Sequence, residues 1–289
     1  MLILNDMRKW LIVIGFFGWF STLVLAQERT FQDTRVINTQ SVETVAQYRL
    51  DFRVGHRFGD IAGPLGGWNT FYGLEDASDI FIGFDYGITN NATIGIGRTK
   101  GSGPLRQLLH GNVKYRILTQ NEAVPVSITA YGLASITTMA RSNDVTAINY
   151  FATVKHRLSY HGEVLVARRF TPGFSVQLNA GWTHRNIVTF GDENDIWSVG
   201  LASRLKVSKS LAVLLDAAYP ISSLRTPDND YYMPLGVGVE IETGGHVFQI
   251  NLTNATGIAE TDFIPYTRKA WKKGEFRLGF TISRLFKIL

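Results

Sequence analysis

The sequence has 289 residues, a formal net charge of +5 and no cysteine. The lack of cysteine excludes a disulfide framework, thiol catalysis and cysteine-based zinc sites. The basic residues form neither a run nor a basic helix, so the sequence lacks the charged footprint of a nucleic-acid-binding protein. We therefore expect no nucleic-acid partner.

The first 26 residues have the layout of an export signal. A basic pair, Arg8 and Lys9, precedes a mostly apolar run that starts at Trp10 and ends at Ala26. This pattern predicts a signal peptide over residues 1–26 that is cleaved after Ala26. The alternative is a permanent membrane anchor, but the apolar core is short for a helical span and a polar stretch follows it. No later stretch approaches the ~18 consecutive apolar residues of a transmembrane helix.

The polar segment 27–44 has no periodicity, and we interpret it as a periplasmic N-terminal tail. From residue 45 to residue 289, apolar and polar residues alternate in repeated stretches. In the last of them Phe276, Leu278, Phe280 and Ile282 are apolar and the residues between them are polar or small. Period-two alternation places the two sets on opposite faces of a strand. It predicts strands at 45–58, 79–88, 93–99, 107–118, 125–138, 156–169, 174–187, 195–207, 211–219, 234–243, 246–254 and 275–283.

The links between these strands are alternately long and short, apart from a short link after the third strand. One rim of short turns and one of long loops is typical of an outer-membrane barrel with both termini in the periplasm.

A soluble β-sandwich also alternates, but its polar face meets water. Here that face mixes acidic residues with basic residues that are mostly Arg, which suits an interior where charges pair. Aromatic residues near strand ends resemble interfacial girdles. The pattern favours an all-β, transmembrane, antiparallel up-and-down barrel of about 12 strands.

Three segments resemble a known family. They are His56–Gly59 (HRFG), Asp79–Thr89 (DIFIGFDYGIT) and Leu158–Phe170. They look like an uncharacterised Gram-negative outer-membrane β-barrel family, a domain of unknown function. The likeness covers nearly the whole chain after the signal. It implies the barrel and the outer-membrane location, and it implies no activity, ligand or catalytic residue.

Charged side chains on the polar face are the candidate lumen-lining residues. They are Arg49, Asp51, Arg53, Asp85, Lys114, Arg116, Arg157, Glu163, Arg185, Arg204, Asp216, Glu240 and Arg277. A barrel of about 12 strands is wider than 8-stranded barrels, whose side chains fill the interior, so its lumen could pass a small solute. The basic surplus favours anions. The alternative is that the charges pair and close the lumen, for example among Arg49, Asp51, Arg53 and Asp85.

These features predict a passive outer-membrane pore for small solutes, with a preference for anions. The alternative is a structural or partner-binding barrel that presents the loops at 59–78, 221–233 and 255–273. A third hypothesis, a lipid hydrolase, requires His and Ser together on the lipid face, and His184 has no outward Ser beside it. We therefore expect no enzyme. The expected partners are outer-membrane lipid, including lipopolysaccharide, and the barrel-assembly machinery.

Two acidic loop stretches, Asp192–Asp195 and Asp228–Asp230, could offer oxygen ligands to Ca²⁺. Neither has the spacing of a twelve-residue calcium loop, so we interpret both as solvated loops. We expect no metal site and no cofactor. His56, His156 and His184 have outward parity near the long-loop rim, whereas His110 and His161 point inward.

Overall fold

The computed structural model describes residues 29–288. The predicted signal peptide therefore lies outside the described residues. Within this range the strands are β1 (Arg35–Val36), β2 (Thr39–Gln40), β3 (Arg49–Phe58), β4 (Ala77–Gly87), β5 (Ala92–Thr99), β6 (Leu108–Leu118), β7 (Ser127–Thr137), β8 (Leu158–Thr171), β9 (Phe174–Arg185), β10 (Asp195–Lys206), β11 (Leu211–Ile221), β12 (Leu235–Thr243), β13 (His246–Thr253) and β14 (Arg277–Lys287). One α-helix, α1 (Glu260–Tyr266), precedes β14.

Strands β3 to β14 form a closed antiparallel barrel, which confirms the predicted fold class. Each strand pairs with its neighbour in the chain, and β14 pairs with β3 to close the ring. The first barrel strand begins at Arg49 rather than at residue 45, and the last extends to Lys287. The short turns share a rim with the two ends of the barrel, where the Ile288 amide bonds to the Tyr48 carbonyl. We call this the terminus rim and the opposite edge the loop rim.

Side chains alternate across the barrel wall, apart from irregularities near strand ends at Arg57/Phe58, Arg116/Leu118 and Arg169/Thr171. On β4, Ile80, Ile82 and Phe84 point outward and are exposed, whereas Asp79 and Gly83 face inward and are buried. The other strands repeat this arrangement, so exposed apolar side chains form a belt around the wall. Near the loop rim, His56 stacks on Phe280 with ring centroids 5.6 Å apart. A continuous apolar belt of this extent is the surface of a barrel in contact with lipid.

Two parts of the chain leave the wall and occupy the lumen. The first, residues 29–45, is almost entirely buried, and we call it the N-terminal plug. The second is the link between β13 and β14, residues 254–276, which contains α1 and which we call the α1 loop. The segment 27–44, interpreted above as a periplasmic N-terminal tail, is enclosed by the barrel where the structure describes it, from residue 29 onward. No helix among residues 29–288 combines the length and the apolar character that a helical membrane span requires.

Contact of this belt with lipid leads to a testable prediction. Ile96 is 67% exposed in the outward row of β5. We expect Ile96→Arg to lower the free energy of unfolding by about 2–4 kcal/mol, because it places a charge in the hydrocarbon layer. Urea unfolding from lipid vesicles measures this. The control is Val207→Arg beside the terminus rim, for which we expect about 0–1 kcal/mol. Equal effects of the two substitutions would contradict lipid contact at Ile96.

Candidate functional site: the closed lumen

The N-terminal plug is a hairpin that enters and leaves the lumen at the terminus rim. Its β1 and β2 pair through Arg35 with Gln40 and Val36 with Thr39. The turn lies at Ile37, whose φ is 52°. The chain then returns to the rim and passes directly over Gly87, where a Cβ atom would lie 2.1 Å from the Ala46 carbonyl oxygen. Only glycine leaves room for the plug to pass at this position.

One plug carboxylate is held by the strands that close the barrel. The Arg53 guanidinium on β3 binds Asp33 through both terminal nitrogens, with Nη1 2.8 Å from Oδ2. The Ser283 hydroxyl on β14 donates to the same Oδ2 at 3.2 Å. Arg53 also donates to Asp51 at 2.9 Å. Two carboxylates, one from the plug and one from the wall, therefore share a single buried arginine.

Cations on β6 bind the same stretch of the plug. Lys114 Nζ donates to three plug carbonyls, those of Thr34 at 3.0 Å, Ser41 at 3.1 Å and Glu43 at 3.2 Å. Arg116 donates to the Glu43 carboxylate at 3.1 Å. Bonds from charged donors are stronger than those between neutral groups. This side of the plug is thus fixed to the wall by basic side chains.

The tip of the hairpin is bound by polar side chains of the opposite wall. Asp216 on β11 accepts from the Asn38 amide at 2.7 Å, from Asn38 Nδ2 at 2.7 Å and from the Thr39 amide at 3.1 Å. Gln249 on β13 accepts from the Ile37 amide at 3.1 Å. Gln177 on β9 accepts from the Val42 amide at 2.8 Å. Backbone groups that lack partners within the short hairpin find them on the wall.

Part of the plug surface is apolar. Phe31, Val36, Ile37 and Val42 pack in one buried cluster with inward residues of β8, β10 and β11, namely Leu165, Ala167, Ala202 and Leu214. The inner wall therefore contacts the plug in two ways. Strands β3 and β6 contact it through charged side chains, and strands β8, β10 and β11 contact it through a small apolar patch.

The α1 loop meets the plug from the loop rim. Glu260 on α1 accepts from Arg35 Nη2 at 2.6 Å and from Gln40 Nε2 at 3.0 Å. The neighbouring Asp262 accepts from the Ser102 amide at 2.8 Å, which ties the helix to the link between β5 and β6. The two inserted segments are thus in direct contact, and together they block the lumen from both rims.

The candidate lumen-lining residues fall into three groups. The buried ones are Asp51, Arg53, Lys114, Glu163, Arg185, Asp216, Glu240 and Arg277. Asp85, Arg116, Arg157 and Arg204 are half-buried, and Arg49 is exposed at the terminus rim. Arg157 lies in a 3₁₀ turn before β8 and donates to the carbonyls of Thr137 and Met139.

Their partners differ from the expected network. Asp85 accepts from Asn112 rather than from an arginine. Two of the candidates bind neither inserted segment: Arg204 binds Glu240 at 2.7 Å, and Arg277 binds Asp60, in the link after β3, at 2.6 Å. Arg53, Lys114, Arg116 and Asp216 instead bind the plug.

The alternation pattern does not identify the residues that the plug contributes, above all Asp33, Asn38 and Glu43. The composition of this segment nevertheless indicates that it is packed. Residues 29–45 contain Phe31, Val36, Ile37, Val42 and Val45 and have no Gly, Pro or Lys. A disordered tail is usually poor in β-branched and aromatic residues. The composition therefore indicates a segment that packs against something, although it does not indicate what.

The first acidic loop is an ion-pair cluster rather than a solvated loop. Asp192 accepts from Arg225 at 2.6 Å and from Arg185 at 3.3 Å. Burial acts to raise the pKa of Asp192, but the hydrogen bond from Arg225 and the charges of Arg185 and Arg225 outweigh it and hold the pKa below its usual value. Within residues 29–288 there is no group of three or more side chains that could hold a metal ion.

This cluster predicts a pH-dependent stability. Because its folded pKa is depressed, Asp192 stabilises the fold above its unfolded pKa of about 3.9 and loses this effect as the pH falls through the folded value. We expect Asp192→Asn to cost about 1.5–3 kcal/mol at pH 7 and less at pH 2, measured by urea unfolding. Asp228→Asn, on an exposed loop, is the control. An equal cost at both pH values would contradict the role of the charge.

Two histidines, one outward and one inward, are held by polar neighbours in the described chain. His184 faces outward and binds Asp195 at 2.8 Å and Asn186 at 3.1 Å, with no serine among its hydrogen-bond partners in this part of the chain. His110 points inward, as its parity indicates, between the hydroxyls of Thr99 and Ser135. It lies buried behind α1, where Ser135 also contacts Thr261. No substrate can reach this pair while the lumen is closed.

Comparisons with known proteins agree with this architecture. A family model described as "Membrane bound beta barrel domain (DUF5777)" matches residues 31–286, so it includes the plug. An outer-membrane channel from Pseudomonas putida F1 matches with a TM-score of 0.50 and 15% identity over 85% of this chain and 98% of that chain. KdgM porin in complex with disordered oligogalacturonate matches with a TM-score of 0.50 and 8% identity over 82% of this chain and 99% of that one. At such identities the likeness shows the fold alone. No curated protein matches the sequence.

Proposed function

Because the chain belongs to the family of membrane-bound β-barrel domains designated DUF5777, we propose that it is an outer-membrane pore with a closed resting state. The resemblance noted in the sequence is thereby confirmed. The predicted export signal and the placement of both barrel ends on the short-turn rim support the outer membrane as its location. The pore passes small anionic solutes when the N-terminal plug moves.

The observation that carries this proposal is the chemistry of the wall behind the plug. Arg53, Lys114 and Asp216 stay on the wall when the plug leaves, and all three are charged side chains that water can solvate. A scaffold that passes no solute could carry apolar side chains here, because an apolar core is often at least as stable as a buried ion pair. A hydrophilic wall behind a removable segment is the arrangement that a gated pore requires.

The plug also forms ion pairs with basic side chains that would select the solute in the open pore. Asp33 neutralises Arg53, and Glu43 neutralises Arg116. Release of the plug removes these two carboxylates. Arg53, Lys114 and Arg116 then remain on β3 and β6 with the wall carboxylates Asp51 and Asp85, which leaves an excess of one positive charge. A path lined in this way attracts anions. The preference for anions thus follows from the groups that the plug covers at rest.

Conductance in planar bilayers tests the proposal. We expect the intact protein to be silent. A variant that lacks residues 29–45 should conduct, either with this single deletion or once the α1 loop is shortened as well. In a salt gradient the reversal potential of the open variants should shift toward the chloride potential. The same deletion variants must retain the heat-resistant mobility of a folded barrel. Folded variants that never conduct would contradict the pore.

A second function is favoured by one observation, the closure of the lumen from both rims. A barrel of this kind can serve as a scaffold that presents its loops at the loop rim. Solute uptake by cells that carry the intact protein separates the two functions, because a scaffold keeps both segments in place and passes no solute.

A further inference from the structure

A cavity of about 330 Å³ opens at the loop rim, above the closed lumen. We call it the rim pocket. Its charged lining residues are Asp60, Asp76, Lys100, Arg106, Lys269 and Arg277. They come from the links that follow β3, β5 and β13 and from the start of β14. Its volume lies at the lower end of the range for small-molecule sites.

The floor of the rim pocket is an ion-pair group of two cations, Arg277 and Lys269, and two carboxylates, Asp60 and Glu275. Arg277 Nη2 lies 2.6 Å from Asp60 Oδ1, and Lys269 Nζ lies 3.3 Å from Asp60 Oδ2. Lys269 is shared with Glu275, also at 3.3 Å. Arg277 and Asp60 are buried, whereas the Lys269 side chain is 24% exposed. Lys269 is therefore the floor cation that a solute can reach.

Two further cations at the mouth of the rim pocket have no counter-ion among the described residues. Lys100 is exposed and its Nζ donates only to the Ala77 carbonyl. Arg106 is exposed, and its guanidinium makes no hydrogen bond or ion pair with any residue in 29–288. Together they outnumber Asp76, the one further carboxylate among the described lining residues, so the lining keeps a net positive charge. Such charge, focused in a concave site, attracts anions.

Hydroxyl groups complete the lining. Ser78, Ser102 and Thr256 line the cavity beside the cations. Ser78 Oγ accepts from Arg277 Nη1 at 2.9 Å, and Ser102 Oγ lies 3.0 Å from Thr256 Oγ1. Ser78 Oγ donates to the Phe58 carbonyl and Ser102 Oγ to Thr256 and Asp262, so among the described lining residues the Thr256 hydroxyl can donate to a hydroxyl of a solute.

We propose that the rim pocket binds a small organic acid that carries hydroxyl groups, with its carboxylate between Lys100, Arg106 and Lys269. This inference rests on the proposed function and names the class of solute. It also connects binding to closure. Lys269 belongs to the α1 loop and holds that loop to Asp60, so a carboxylate that competes with Asp60 for Lys269 loosens the segment that blocks the loop rim.

Binding to the refolded, full-length protein in nanodiscs tests the proposal by calorimetry. Glucuronate is the probe, glucose is its neutral counterpart of similar size, and inorganic phosphate is an anion without a carbon skeleton. The test variant is Lys100→Gln with Arg106→Gln, which changes exposed side chains only. The matched control is Lys155→Gln with Lys209→Gln, which removes two exposed charges outside the pocket.

We expect saturable glucuronate binding that weakens about tenfold in the test variant, changes less than about twofold in the control and falls as salt rises. Phosphate should bind more weakly than glucuronate, and glucose should not bind. Absence of saturable glucuronate binding, equal affinity in the test variant, or binding of glucose at the same affinity would each overturn the proposal. Because binding is measured without conductance, it can fail while the plug-deleted protein conducts, and the pore can fail while glucuronate binds.

Discussion

Replacing Asp33 with alanine is expected to free the N-terminal plug from the wall while the barrel stays folded. The carboxylate binds both terminal nitrogens of Arg53 and is 3% exposed. Breaking one side of a buried ion pair costs about 3–5 kcal/mol, because the other charge is left without its partner. Arg53 keeps Asp51 at 2.9 Å, so we expect the lower end, about 3 kcal/mol. The docking equilibrium of the plug then shifts roughly a hundredfold.

Hydrogen exchange of the plug amides measures this shift directly. The amides of Ser41 and Val42 bond to Thr34 and Gln177, and they exchange only when the plug opens. We expect their protection to fall about a hundredfold in Asp33→Ala while amides of the wall strands keep theirs. Glu122→Gln removes an exposed acid at the terminus rim and is the control. Unchanged protection of both amides in Asp33→Ala would show that the Arg53 pair does not hold the plug.

The second large effect is expected for Lys114→Met. Methionine keeps an unbranched apolar chain but cannot donate to the three plug carbonyls. The Thr34 carbonyl retains a bond from the Ser41 amide, so two carbonyls, those of Ser41 and Glu43, lose their donor. A buried polar group without a partner costs about 1–3 kcal/mol. Loss of a buried cation offsets part of this cost, and we expect the plug to be weakened by about 2–4 kcal/mol.

Two measurements check Lys114→Met. Exchange of the plug amides should rise, whereas Lys206→Met on the exposed end of β10 should leave it unchanged. In the plug-deleted protein, Lys114→Met should also reduce the preference for anions, because it removes a wall cation. Faster exchange without a change in selectivity would place Lys114 in plug binding alone. No change in either measurement would contradict both roles.

The wall of the barrel could be predicted from the sequence because it depends on a local rule. In β14 the inward residues Arg277, Gly279 and Ser283 alternate with outward Leu278 and Ile282, and period two requires no knowledge of the partner strand. Link lengths then arrange the strands in chain order. These features depend only on residues that are close in sequence, so the observed strands agree closely with the predicted ones.

The contents of the lumen could not be predicted in the same way. The strands of the plug have two residues each, which is too short for any period to appear. Helix α1 has seven residues and is buried on most sides, so it carries no amphipathic pattern. The bonds that place these segments join residues far apart in sequence, such as Arg35 and Glu260. Parity showed that Arg53 faces inward but could not show that Asp33 is its partner.

The position of Asp33 has a consequence for how the ring closes. Ser283 of β14 lies directly opposite Arg53 of β3 in the register of the last strand pair, and Asp33 Oδ2 accepts from both side chains. A slip of two residues would preserve the inward face but separate these donors by about 6.6 Å along the strands. One carboxylate cannot span that distance. The hydrogen bonds of Asp33 are therefore complete in one alignment of the first and last strands, and we expect them to oppose a slip of that register.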